Sequence, residues 1–326
     1  MESLDPRGAL RLPGDPSQPF FRRCNAVWAE QSRRALQPYL CMTCCFFFFY
    51  NGWGMLRVDT VGWLLVCLGT ALADLAWRRW AAASYLRARE VTASLMTLAA
   101  FGPSAAWLLI RDLLDGQGHR LAVGLAWAST RPAAAAALHL AHLLFASGAL
   151  KMGINCLSLP VRLSLSVLLQ TSLLLIALPH TPAICGAAPL THPTAQKASH
   201  AAVRLLSFLS DLGPTPAAPV APSAAHECAA LLIWLRCTVA VLGPLLYAAA
   251  AEARLWQRHQ LERWQAGLPP ERSAAAPLYA VVLRLAASLD GVPHALVWGW
   301  GFVAISWNWA LLLASFCQPS AAGPTA

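Results

Sequence analysis

Charge is scarce in this chain, and lysine almost absent. Only 12% of the 326 residues are charged, against about 25% in an ordinary soluble domain. Of the 24 basic residues only Lys151 and Lys197 are lysine. Intact chemical motifs are missing as well. There is no His-His dipeptide of the kind membrane di-iron sites carry, and no second C-x-x-C to complete a zinc or iron–sulfur set. The last apolar run holds no lysine for a Schiff base, Leu64 breaks the filter-like Thr60-Val61-Gly62-Trp63, and Asp115-Gly116 lacks the downstream aspartates of a lipid phosphotransferase. These gaps leave no enzyme class, no cofactor and no metal to assign, so a non-enzyme is the expectation. No stretch is polar enough to form a separate soluble domain with its own core.

What remains is apolar. Hydrophobic residues make up 57% of the chain and its mean hydropathy is +0.51. The pattern predicts an all-α, polytopic transmembrane helix bundle of about seven spans, with six to eight possible. The spans expected are 39–56, 61–77, 91–110, 132–150, 161–178, 228–251 and 292–317, with 273–291 ambiguous because Arg284 sits near its middle. The 39–317 transmembrane domain is preceded by a basic tail, 1–38, and followed by a disordered tail, 318–326. It includes a Pro-rich outer loop, 179–227, and a basic inner stalk, 252–272. Residues 78–90 are expected to be an Arg-rich loop between the second and third spans. Arg131-Pro132 places residues 121–128 in an interfacial or re-entrant piece.

The net charge of +9 does not point to nucleic acid, because the arginines gather beside the spans. They sort by side: seventeen on the N-terminal side against six opposite, with Arg236 alone inside a span. That bias predicts a cytoplasmic N-terminus. With no apolar core before about residue 39, the first span is expected to act as the insertion signal. Phe20, Phe21, Val27 and Trp28, interleaved with arginines, suit a helix on the anionic membrane surface. In the outer loop a second surface helix is expected over 195–212, with Ala202, Leu205, Leu206, Leu209 and Leu212 on its apolar face.

Ionisable groups at membrane depth are the site candidates. Arg236, His139, His142 and Asp74 form the candidate polar cavity, the two histidines sharing one helix face by their spacing of three. Gly102-Pro103 is a candidate hinge. Histidines hydrogen-bonded within the bundle, and Asp74 reaching the interface, are the plainer alternatives. Cys185 and Cys228 flank the outer loop, where pairing and accidental placement both fit. Cys41, Cys44 and Cys45 lie beside Arg33 and Arg34 at the inner edge of the first span, which suits either palmitoylation or simple packing. Expected partners are the lipid bilayer and a small solute bound or passed within the bundle. A non-catalytic sensor or assembly subunit, signalling from the outer loop through 228–251 to the stalk, and a lipid-modifying enzyme are the other classes.

Overall fold

A computed structural model of the chain describes residues 19–32, 34–35, 58–101, 139–140, 143–144, 148–186, 188–211, 223–271, 273, 275–288 and 292–317. Among them every regular element is helical. The expected first span, the interfacial piece 121–128, Gly102-Pro103, Arg131, His142, Cys41, Cys44, Cys45 and the tail 318–326 lie outside the described residues.

The N-terminal helix α1 covers 19–32. It is followed by α2 (Val58–Trp80), α3 (Ala82–Phe101), α4 (Ala149–Ser158) and α5 (Leu163–Ala177). A 3-10 turn, Leu178–His180, leads into the short α6 (Thr181–Cys185) and α7 (Ala188–Thr191), then α8 (Pro193–Asp211). Next come α9 (Ala224–Leu235), a π-helical stretch Arg236–Leu242 and α10 (Gly243–Gln265), which together form one continuous helix; α11 (Ala276–Ser288) and α12 (Val292–Cys317) complete the order.

Three of these stretches are long and apolar enough to cross a membrane: Leu163–Cys185, Ala224–Gln265 and Ala295–Phe316. They coincide with three of the expected spans. The ambiguous segment forms α11, which at 13 residues is shorter than the ~20 a crossing requires, and Arg284 on it is exposed. The expected loop at 78–90 is helical instead. Only Ala81 interrupts it, and the bonds Ala81 N→Trp77 O and Tyr85 N→Ala81 O carry the helical ladder through. Residues 78–90 contain no glycine or proline and are rich in alanine and arginine, both strong helix formers. Their charge marks a helix surface and not a turn.

The long helix begins at Ser223, whose hydroxyl accepts from His226 N at 3.2 Å. Its π stretch has a local cause. Pro244 has no N–H to give, and its ring crowds the carbonyl one turn back. Gly243 N–H therefore bonds to Thr238 O, one residue further than in an α-helix. Thr238 Oγ1 takes the nearby Trp234 carbonyl at 2.7 Å. The helix ends where Gly267, at φ +69°, follows it. There Leu268 N bonds to Arg263 O and Gly267 N to Trp264 O, the paired closure that a left-handed glycine allows.

Two apolar cores flank this helix. The larger gathers residues 228–235 with Leu206 of α8, Ile184 of α6, Leu169 and Leu173 of α5, and Trp307, Ala310 and Ala314 of α12. The smaller joins Phe20, Phe21 and Cys24 of α1 to Ala253 and Trp256 of α10 and to Tyr279 of α11. So α1 does not lie with its aromatics towards a lipid surface. It turns Phe20, Cys24 and Trp28 inward, all 0–1% exposed, with Phe20 edge-on to Trp256 at 4.9 Å between centroids.

The outer-loop helix forms too, as α8, and here the buried face differs from expectation. Ala195, Ser199, Val203, Leu206 and Ser210 are inside, whereas Leu205 is 59% exposed. α8 is bound to α12 through two indole donors. Trp300 Nε1 donates to Leu209 O at 2.7 Å and Trp307 Nε1 to Ser207 Oγ at 3.2 Å, contacts that draw the helix onto the bundle.

Candidate functional site

α5 runs antiparallel to the long helix, and the register can be read from three contacts. Leu163 lies beside Glu252, Ala177 beside Arg236, and Cys185 beside Cys228, with which it forms a disulfide. The first two contacts seat charges against the ends of α5. At its start, Leu163 N–H has no helical acceptor, and it donates to Glu252 Oε1 at 2.6 Å. At its end, the chain tightens into the 3-10 turn, Thr181 N–H closing on Leu178 O, and Pro182 has no N–H to extend the ladder, so the last turn has room for a side-chain donor. Arg236 Nη1 supplies it, donating to Ala177 O at 2.9 Å and to Thr181 Oγ1 at 2.7 Å. An anion at the N-terminus and a cation at the C-terminus both complement the helix dipole.

Between these two residues the long helix has no charge from Cys237 to Ala251, and α5 has none over its 15 residues. Arg236 therefore bounds an uncharged slab and does not sit in its middle. The slab is about 22 Å deep at 1.5 Å per residue.

Glu252 also accepts from the Tyr279 hydroxyl at 2.9 Å, joining α5, α10 and α11 at one carboxylate. Beside it, Arg162 forks onto Glu90, with Nε 2.6 and 2.7 Å from the two oxygens, and lies 5.0 Å over the Phe21 ring. Cys24, 1% exposed, has its thiol pushed up to about 12 by burial. Further along, Arg89 is 1% exposed and stacks over Trp28. Its Nη2 donates to Ser32 Oγ at 3.1 Å and to Pro160 O at 2.7 Å. Burial lowers its guanidinium to about 10, which leaves it charged at neutral pH. These residues make a polar layer at the end of the bundle where α1 and the 252–272 segment meet. Arg23 closes that meeting with a two-pronged pair to Glu262.

The residues singled out from sequence are held apart. Arg236 serves the α5–α6 junction. His139 is 3% exposed and shares a 2.8 Å hydrogen bond with Ser199 of α8. Asp74, 4% exposed, pairs with Arg78 one turn on. Each is held by a different element. Among the described residues no group of three His, Cys, Asp or Glu is placed to hold a metal ion. An open groove of about 730 Å³ runs along α1, lined by Ala26, Val27, Glu30, Gln31, Arg34 and Ala35, and touches none of the three.

Sequence reasoning missed Glu252, Arg89 and the Glu90–Arg162 pair. The signal for Glu252 was present: it is the only acidic residue between Glu227 and Glu262, and it follows a long uncharged run. Arg89, Glu90 and Arg162 were hidden among arginines assigned to loops.

Comparison with known proteins gives no match: no family model fits the chain, and no curated protein or solved structure is similar to it.

Proposed function

We propose that this is a non-catalytic multi-pass membrane protein of about seven spans with its N-terminus inside, acting as a sensor or assembly subunit. The observation that carries the reading is the single helix 224–265, 42 residues long. At 1.5 Å per residue it measures about 63 Å, twice a hydrocarbon core of ~30 Å. It holds a disulfide at one end and α1 at the other, and it fixes α5 at two levels between them. A displacement at the disulfide end therefore has a stiff path to the α1 platform. The meeting of the basic tail with the basic stalk at one end supports placing both on the same side of the membrane.

A cysteine pair at Arg23 and Glu262 tests the coupling. Cross-linking of R23C/E262C in membranes is expected to slow several-fold when C185S is added, whereas an unchanged rate rejects transmission along this helix.

The second reading, binding or passage of a small solute, is favoured by the π-helical turn at Arg236, a feature frequent at functional sites. It requires that R236E insert normally and lose potassium, chloride or proton flux in proteoliposomes. Unaltered flux removes Arg236 from it.

A further inference from the structure

Three polar residues near the start of α3 carry more hydrogen-bonding capacity than their neighbours use. Arg89 is 1% exposed, and beyond the two bonds of its Nη2 its Nε and Nη1 have no partner. Arg78 donates from Nη1 to Ala29 O at 3.1 Å and pairs with Asp74, while its Nε has no partner. Asn25 Oδ1 is buried without a donor, although the same amide reaches Leu86 O, one turn before Arg89, at 3.5 Å. Tyr85 links the group: Arg78 lies 4.8 Å over its ring, and Asp74, Arg78 and Arg89 all act on its hydroxyl.

What is unmatched is the set of guanidinium donors and not the charge: Glu90 pairs with Arg162 and also acts on Arg89, yet Arg89 Nε and Nη1 and Arg78 Nε have no acceptor. A buried guanidinium with unused donors is costly. A phosphodiester carries two free anionic oxygens, which match the unused arginine donors in number and geometry.

We propose that Arg78 and Arg89 bind a phosphate oxygen group of single negative charge, with Asn25 Oδ1 accepting from a hydroxyl of the same ligand. The level suits a lipid headgroup. Arg89 bonds to Pro160 O, three residues before the apolar α5 begins, and Arg79 and Trp80, which follow Arg78, are exposed, Trp80 at 84%. Free phosphate presents the same oxygens, so the source has to be separated by experiment.

The full chain, purified in an uncharged maltoside detergent, is titrated with dihexanoyl phosphatidylglycerol, with inorganic phosphate and with uncharged dihexanoylglycerol while the melting temperature is followed. A saturable rise is expected with phosphatidylglycerol and not with dihexanoylglycerol, at least tenfold weaker in R89Q. R89K keeps the charge without the fork, and it answers the question should R89Q not fold; it is expected to weaken binding severalfold. A matching rise with inorganic phosphate identifies the free ion as the source. No saturable rise with either anion, or an R89K curve equal to that of the unaltered protein, overturns the site. These ligands are soluble, so the result stands apart from that of the R23C/E262C cross-link.

Discussion

Arg236 shows how a single residue at depth can be absorbed by structure. Its guanidinium adds a charged donor to Ala177 O and the Thr181 hydroxyl at the α5–α6 junction, and it brings a positive charge to the end of α5. Replacing it with methionine keeps volume and removes both roles. R236M is expected to lower stability by about 3 kcal/mol, from the loss of charged hydrogen bonds to buried acceptors, measured by unfolding in mixed micelles. T181A, which removes one acceptor and leaves Ala177 O served, is expected to cost about 1 kcal/mol. Cys24 gives a second residue-scale expectation. With its thiol held near 12, it has almost no thiolate at pH 8, so iodoacetamide should label it only after denaturation; labelling of the folded protein contradicts the burial.

At the scale of elements, the approach of α4 to the π stretch depends on a missing side chain. A Cβ at Gly153 would lie 2.9 Å from Val239 O, closer than real contacts allow, and the obstacle is backbone. G153A is therefore expected to push α4 off the long helix and lower the melting temperature by several degrees, although alanine favours the helix itself. An unchanged melting temperature would show that the two elements can separate freely.

Legibility varied by element for physical reasons. Leu163–Ala177 was readable because an uncharged, leucine-rich run has few alternatives to a membrane helix. Residues 78–90 were misread because arginine density marks an interface equally well on a loop and on a helix. The buried face of α8 is not the one its leucines mark, because neighbours cover it on more than one side: His139 bonds to Ser199, while Trp300 and Trp307 of α12 bond to Leu209 O and Ser207. The clasp on α5 was not readable, since it depends on which helices are antiparallel neighbours, and a single sequence does not fix that. The disulfide partners could be named from their places beside the loop, although nothing in the sequence decided between pairing and accident.

Across the whole molecule, the Cys185–Cys228 bridge spans 43 residues and closes α7 and α8 into one loop. By loop entropy it contributes about 4 kcal/mol. C185S, C228S and the double variant are expected to lose the same stability in non-reducing unfolding, because each removes one and the same cross-link. A double variant markedly worse than either single one would assign the cysteines separate roles.

The opposite charges gripping α5 have a consequence for how the chain assembles. A helix inserted the other way up would present its amide end to Arg236 and its carbonyl end to Glu252, so both contacts would turn repulsive at once. The long helix thus discriminates between the two directions of its neighbour, and α5 is selected for polarity as well as for fit.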